Sequence, residues 1–332
     1  MLARVAENIY WLARYLERAE NTARLISVNA NLLLDLQRGY ELGWLPLIEI
    51  TGSRLAFDSQ KRRSDEREIV QFLLADAENP GSISASLNAA RENARTLRDI
   101  LPDEAWEILN EFFQEFTAQL PAGLNRRTRF DFLKRIVLGS QTLAGVLDGT
   151  MSRTDAYTFM MLGRNLERAD MTSRIVDVRS AQILPAAASD LVPFHTIQWI
   201  SVLRSLSGQH MYRQTRRGRV SRVECLDFAL RDAQFPRSCM FCLRQVELSL
   251  RTLSRSSGVL DTLAGAHRFL AQVDFFQIDQ PGLHQLIDHL QVYLSGVHAS
   301  IAQAYFPALP GNARRPIQNQ VQDRGSTLPL FT

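Results

Sequence analysis

The chain has 332 residues, of which 45% are hydrophobic and 22% charged, a balance typical of a globular protein with a substantial core. Its formal net charge of +3 is too small to indicate nucleic-acid binding by itself. No apolar run approaches the roughly 18 residues that span a bilayer, and the charged N-terminus lacks a signal-peptide core. We therefore expect a cytoplasmic protein with no membrane partner. Three cysteines, an odd number, fit a reducing compartment.

The first half of the chain is predicted to be helical, beginning with one long helix that ends near Gly39. Ser64 or Asp65 can cap one later helix and Ser82 another, because their oxygens accept bonds from the free amides of a first turn. Pro121 is expected to stop the helix that starts near Pro102. The predicted helices of this half span residues 2–38, about 44–57, 66–76, 82–101, 103–120 and 126–148.

The second half is also helical and ends in a tail, residues 307–332, that is rich in proline and predicted to be disordered. Leu184–Pro193 is the most credible internal linker, and Ser221 with Glu224 has the spacing of a capping box. The remaining predicted helices span residues 155–184, 197–206, 223–232, 239–253, 258–273 and 280–305. No stretch alternates as a strand does, so the predicted fold class is all-α, a multi-helix bundle.

A sequence repeat relates Leu12–Val28 to Leu162–Val178 at a constant offset of 150 residues. Nine of the seventeen aligned positions are identical. A repeat at so long a period indicates duplication of a helical unit rather than a short solenoid. We therefore predict one domain over residues 1–306, built of two related halves at about 1–150 and 151–306.

Each copy of the repeat carries an apolar stripe and a charged stripe at helical spacing. The apolar stripes are Leu12, Leu16, Ala19, Ala23 and Ile26 in the first copy and Leu162, Leu166, Ala169, Ser173 and Val176 in the second. The charged stripes are Arg14, Glu17, Arg18, Asn21 and Arg24 in the first copy and Arg164, Glu167, Arg168, Met171 and Arg174 in the second. If the two helices cross near their middles, these charges face each other, and each arginine can hold a carboxylate through two parallel bonds.

Three runs carry a resemblance to a known family: Glu17–Asn21 within the first 25 residues, Leu166–Asp170, and Arg217–Ser238. Together they resemble the bacterial alpha-E family, a helical domain of unknown function, over residues 1 to about 306. Its members accompany circularly permuted ATP-grasp ligases and transglutaminase-like proteins. The resemblance thus implies a setting of amide-bond formation in peptides or peptide-like metabolites. Because the chain has no phosphate-binding loop of its own, we expect no cofactor in it, with ATP and Mg bound by a partner ligase.

The charged stripes have two interpretations. In the first, arginine and glutamate form a network that fixes the register of the bundle and has no catalytic role. In the second, they line a polar pocket in which Glu17 and Glu167 act as catalytic bases or amine binders. The arginines predicted to bind substrate there are Arg14, Arg18, Arg24, Arg164, Arg168, Arg174, Arg217, Arg219 and Arg237.

The densest basic run, Arg213–Arg222, adds a further alternative. As a loop before a capped helix it could bind phosphate, or it could be an ordinary solvated surface. Our leading hypothesis is an accessory protein of an ATP-grasp amide ligase that presents or receives an amino-acid or peptidyl substrate. The alternatives are a stand-alone enzyme of peptide or amide transfer and, more distantly, an RNA-binding helical module that uses this run.

Metal chemistry is not expected. No histidine follows a glutamate at the Glu-x-x-His spacing of di-iron bundles. Cys239 and Cys242 have CxxC spacing but no second pair, and their apolar context predicts thiols in the core. The histidines of the last helix, His284, His289 and His298, do not share one close face.

Overall fold

The computed structural model describes residues 1–35, 43–181, 192–216 and 218–306. Within these ranges the regular structure is entirely helical, without a strand, which confirms the all-α prediction. The predicted tail 307–332, most of the predicted linker and the end of the first helix near Gly39 lie outside the described residues.

The first half contains a long N-terminal helix, as predicted, followed by three short helices and three longer ones. They are α1 (Ala3–Asp35), α2 (Leu45–Ile50), α3 (Arg54–Ser59), α4 (Glu66–Leu74), α5 (Ile83–Arg95), α6 (Asp103–Leu124) and α7 (Arg129–Thr150).

The second half begins with another long helix and ends with one of 26 residues. Its helices are α8 (Asp155–Ala181), α9 (Val192–Ser205), α10 (Gln209–Thr215), α11 (Arg222–Leu226), α12 (Cys239–Arg251), α13 (Ser257–Ala271) and α14 (Gln280–Tyr305). A π-helical turn, Asp227–Arg231, continues α11.

Side-chain caps begin α4 and α5 at two of the predicted positions. Asp65 Oδ1 accepts a hydrogen bond from the backbone N–H of Glu68 at 3.0 Å. Ser82 Oγ accepts one from the N–H of Ala85, also at 3.0 Å. Each bond satisfies an amide that has no partner within its own helix, which is worth about 1 kcal/mol of stability.

Two helix boundaries differ from the prediction. The apolar segment 44–57 forms two helices, because Gly52 between them has φ +66°, a backbone conformation that favours glycine. Arg174 Nη1 lies 3.1 Å from where a Cβ of this residue would stand, so the position also has little room for a side chain. Pro121 lies inside α6 rather than at its end. The proline lies in the last turn of α6, where its missing N–H costs the helix a single hydrogen bond, to the carbonyl four residues earlier. The side chain of Arg129 donates to the carbonyls of Gly123 (3.1 Å) and Leu124 (3.3 Å), which have no partner within the ending helix.

The two helices that carry the repeat, α1 and α8, pack against each other at the centre of the bundle. Around them, α5 and α7 cover α1 while α12 and α14 cover α8. The outer helices α6 and α13 pack against α7 and α14 respectively. In each half the repeat helix is thus covered by two helices, and one outer helix packs against the second of them. Their descent from one duplicated unit stays a prediction.

Every residue of both predicted apolar stripes is buried. In the middle of the two helices this face consists of small residues, Ala19 and Ala23 on α1 and Ala169 and Ser173 on α8, all 0% exposed. Small side chains let two helix axes approach closely. The side chains that flank the contact are thereby also drawn together.

Gly163 lies where the backbones of the two helices approach each other closely. A Cβ at this position would lie 2.2 Å from the carbonyl oxygen of Tyr10, far inside van der Waals contact. Its counterpart in the first copy is Ala13, so only the α8 side of the repeat needs a glycine here. The missing side chain allows the backbone of α8 to lie directly on that of α1.

We predict that Gly163→Ala destabilises the protein by about 1–3 kcal/mol or more, because the added methyl group forces α1 and α8 apart. Gly145→Ala is the matched control: Gly145 also lies in a helix, α7, but nothing lies within 4 Å of its missing side chain. This change should be neutral or stabilise by up to about 1 kcal/mol. Urea denaturation of both variants measures the difference, and equal midpoints would contradict the close approach.

Candidate functional site

Glu167 of α8 is held between two arginines of α1. Arg14 Nε donates to Glu167 Oε2 at 2.6 Å. Arg18 donates from Nε to Oε1 at 2.7 Å and from Nη2 to Oε2 at 3.1 Å. None of the three side chains is more than 7% exposed. Arg18 therefore makes a two-bond fork across the helix crossing, which fixes orientation as well as charge.

Glu17 of α1 is held by one arginine of α8 and by a second arginine from outside the repeat. Arg168 Nε lies 2.9 Å from Glu17 Oε2, and Arg237 Nη1 donates to Oε1 at 2.6 Å. Arg237 lies in the turn before α12, where its carbonyl accepts a hydrogen bond from the Thr172 hydroxyl at 2.7 Å. The glutamate of each copy is thus bound by the arginine that follows its counterpart in the other copy.

Two more carboxylates extend this arrangement along the helices. Glu20 Oε1 accepts hydrogen bonds from Arg24 and, at 2.8 Å, from Arg237 Nη2. Asp170 Oδ2 accepts one from Arg174 Nε at 3.0 Å. We refer to the complete set as the Arg–Glu seam: Arg14, Glu17, Arg18, Glu20, Arg24, Arg164, Glu167, Arg168, Asp170, Arg174 and Arg237.

Positive charge exceeds negative charge in the Arg–Glu seam. Seven guanidinium groups face four carboxylates, although the chain as a whole is close to neutral. Every carboxylate has at least one arginine partner, while Arg164 has no carboxylate within 4 Å among the described residues. Burial lowers the pKa of Arg164, and the nearby Arg168 charge lowers that pKa further. Among the described residues Arg164 is therefore the one arginine of the Arg–Glu seam that has no ion-pair partner.

The arginines hold both central glutamates ionised. Burial alone would raise the pKa of Glu167, but Arg18 and Arg14 outweigh it and lower that pKa from 4.5 to about 2. At Glu17 burial is likewise outweighed by Arg168 and Arg237, and the pKa is lowered. A carboxylate with so low a pKa is a weak proton acceptor at neutral pH. This favours a charge-positioning role, and the catalytic role of Glu17 and Glu167 stays a prediction.

An aromatic cluster closes one end of the Arg–Glu seam, and sequence reasoning missed it. Tyr10 Oη and His298 Nδ1 lie 2.7 Å apart, and Arg14 Nη1 donates to Tyr10 Oη at 3.2 Å. The Arg14 guanidinium also lies 5.0 Å from the ring centre of Trp11. His298 reaches this position on α14, which only the tertiary structure brings beside α1. The cluster gives Arg14 contacts on the side away from Glu167.

Two small cavities flank the Arg–Glu seam. The first, of about 20 Å³, lies between α1, α7 and α8 and is lined by Glu17, Glu20, Ser140, Arg164 and apolar side chains. The second, of about 10 Å³, lies between α1 and α8 and is lined by Arg18, Thr22, Thr51, Gly81, Glu167, Asp170, Met171 and Arg174. Each has room for one or two water-sized groups. The first cavity is the one that the unneutralised Arg164 reaches.

The basic run of the second half is separate from the Arg–Glu seam. Arg219 is exposed, and Arg222 donates to the carbonyls of Ile278 (2.8 Å) and Asp279 (3.2 Å). Arg217 lies outside the described residues. Arg219 has no described contact with the repeat arginines, and the neighbouring Arg222 packs near the start of α14, so the role of Arg219 in substrate binding stays a prediction. Arg237, by contrast, joins the repeat arginines.

The cysteines are buried free thiols, as expected. Burial raises the pKa of Cys242 to about 12, despite the opposing charge of Arg168. Among the described residues no group of three or more His, Cys, Asp or Glu side chains could hold a metal ion. No helix in the same part of the chain is long and apolar enough to cross a bilayer.

The fold and the Arg–Glu seam define an all-α protein built around two helices that exchange glutamate–arginine pairs. The chain belongs to the Alpha-E family, described as a predicted alpha-helical domain with a conserved ER motif, whose model matches residues 1–306. Both Glu-Arg pairs of the repeat, Glu17-Arg18 and Glu167-Arg168, have the sequence of that motif. No solved structure matches the chain.

Similar proteins are found in mycobacteria. An uncharacterized protein of Mycobacterium bovis is 25% identical over 90% of this chain. Uncharacterized proteins of two Mycobacterium tuberculosis strains are 25% and 24% identical over the same share. The chain spans 35% of the length of each relative, so in these proteins the similar region is one part of a longer polypeptide.

We predict that Glu167→Gln costs about 3–5 kcal/mol of stability, because it leaves Arg14 and Arg18 buried without their carboxylate. The control is Glu92→Gln, which breaks an exposed pair with Arg95 and should cost less than about 1 kcal/mol. Chemical denaturation followed by circular dichroism measures both. A loss at Glu167 no larger than that at Glu92 would contradict the role of the buried pairing.

We also predict acid-sensitive stability. Because the pKa of Glu167 is lower in the folded state than its ordinary 4.5, the stabilisation is fully present above that value and is lost as the pH falls toward about 2. The contribution of Glu167 alone is on the order of 3 kcal/mol. Denaturation curves recorded from neutral to acidic pH should show this loss in the wild type and a flatter profile in Glu167→Gln. Parallel profiles would refute the assignment.

Proposed function

We propose that the protein is a helical accessory module of an ATP-grasp amide-ligase system, in which the Arg–Glu seam binds a carboxylate-bearing amino-acid or peptidyl substrate. The observation that carries the proposal is the excess of guanidinium groups over carboxylates at the crossing of α1 and α8. An anionic substrate would neutralise part of this excess. ATP and Mg would be bound by the ligase, and a transglutaminase-like protein is a second candidate partner.

The charge excess argues against a purely structural network. Taking charges out of water is costly, and the cost is offset only when each charge has a partner of opposite sign. A network that served only to fix helix register would therefore be expected to balance its charges. A seam that retains a half-buried arginine without a carboxylate partner is instead suited to bind an anion.

An accessory role is supported by the state of the two central glutamates and by the relatives. With pKa values lowered by two arginines each, Glu17 and Glu167 are better suited to hold arginines in place than to accept protons. In the mycobacterial relatives the similar region makes up only part of the polypeptide. The identity of the partner rests on the resemblance to a family whose members accompany such ligases.

The test is a tagged pull-down of the full chain from native cell extract, with and without ribonuclease, read by mass spectrometry. We expect an ATP-grasp ligase to be recovered in both conditions, and its ATP-dependent amide formation to rise several-fold when the purified chain is added. A ligase that works at its full rate without the chain would contradict the proposal. Product formed by the chain alone would favour a stand-alone enzyme. Capture of RNA alone, lost steeply with added salt, would favour an RNA-binding module.

A further inference from the structure

Arg164 departs from the pattern that its counterpart follows. Arg14, at the same position in the first copy, donates to Glu167 of the opposite helix. By the repeat, Arg164 should bond to Glu17 in the same way. Both oxygens of Glu17 are occupied, however, Oε2 by Arg168 and Oε1 by Arg237. Arg237 therefore takes the position that the repeat assigns to Arg164.

The displaced Arg164 has few partners of its own. Its one described hydrogen bond is a weak contact from Nη1 to the sulfur of Met161 at 3.9 Å. Within the described chain no carboxylate lies within salt-bridge distance of its guanidinium. The side chain is half-buried and lines the 20 Å³ cavity between α1, α7 and α8. The Arg164 guanidinium therefore has several N–H groups that can donate hydrogen bonds to a ligand in this cavity.

Ser140 supplies a second available group in the same cavity. The residue is 4% exposed, and its Oγ has no hydrogen-bond partner among the described residues. A buried hydroxyl without a partner is costly, so such groups are normally satisfied by protein, water or ligand. Ser140 lies on α7 and Arg164 on α8. The two available donors therefore come from different helices and share one cavity.

Glu20 adds an acceptor at the cavity wall. Its three described donors, Arg24, Arg237 and Gln141, all bond to Oε1. No described donor reaches Oε2. The cavity is therefore lined by a cation, a hydroxyl and a carboxylate that can each form further hydrogen bonds beyond those with the described residues. This combination is complementary to a ligand that carries both a carboxylate and an ammonium group.

We propose that this cavity binds the zwitterionic head group of a free α-amino acid, with its carboxylate on Arg164 and Ser140 and its ammonium on Glu20. This inference rests on the proposed function and names the part of the substrate that is recognised. A volume of about 20 Å³ has room for one or two water-sized groups, so only the carboxylate enters the cavity, while the ammonium contacts Glu20 at its wall and the rest of the ligand stays outside. Phosphate would be disfavoured, because it is bulkier and more negative beside Glu17 and Glu20.

The test is calorimetric titration of the purified full chain with glycine and a panel of standard L-amino acids. Acetate tests recognition of the carboxylate alone, glycinamide that of the ammonium alone, and inorganic phosphate that of a different anion. We expect at least one amino acid to bind, and acetate and glycinamide to bind more weakly than it does. Arg164→Gln should weaken amino-acid binding by on the order of 10- to 100-fold, and Ser140→Ala by about two- to tenfold. Arg251→Gln, which removes an exposed arginine at the end of α12 that pairs with Glu247, is the matched control and should not change binding.

The variants should remain folded, because Arg164 takes part in no described ion pair and Ser140 in no described hydrogen bond. We expect the thermal midpoint of Arg164→Gln to lie within about 2 °C of the wild type. Equal affinity of wild type and Arg164→Gln would overturn the site, as would Arg164-dependent binding of phosphate in place of amino acids. Recovery of a ligase by the tagged chain without binding of any amino acid would overturn this site and leave the partner proposal standing.

Discussion

The pairing of Glu167 with Arg14 and Arg18 across the crossing of α1 and α8 is the interaction on which the rest of the structure depends. It places three charges where hardly any water reaches them, so their stability depends on the geometry of the contact. That geometry requires a short distance between the helix backbones, which Gly163 and the facing alanines provide. Packing and electrostatics are therefore coupled: a change that separates the helices also separates the charges.

The two copies of the repeat differ in how their glutamates are paired, and the proposed binding site depends on this difference. A symmetric network would place two arginines of one copy on the glutamate of the other, and Glu167 follows this rule. Glu17 does not, because Arg237 enters from a third segment of the chain. Small cavities flank both sides of the helix crossing. On the side of Glu167 every described charge is paired, whereas the cavity beside Glu17 is lined by Arg164, which has no described ion-pair partner. The proposed binding site therefore requires only Arg237 from outside the repeat, and no additional domain.

Features set by neighbours along the chain could be predicted from the sequence. The apolar stripes and the caps at Asp65 and Ser82 depend on helical spacing, which is local. The pairing of the two charged stripes could be predicted only on the condition that the two helices cross near their middles. The contributions of Arg237 and His298 could not be predicted, because they come from elements 220 and 288 residues away from their partners on α1. Pro121 does not end α6 where the sequence predicted, because in the last turn its missing N–H removes only one hydrogen bond.

The long separation between Glu17 and Arg237 also has a consequence for how the chain is made. When α1 leaves the ribosome, Glu17 lacks both of its arginine partners, because Arg168 follows 151 residues later and Arg237 follows 220 residues later. At typical rates of synthesis the interval is roughly 10–45 seconds. The α8 partners of the α1 charges are made during this interval, and the last partner, Arg237 before α12, is made at its end. The N-terminal segment therefore cannot complete its own interior, and the final structure forms only after most of the chain has been translated.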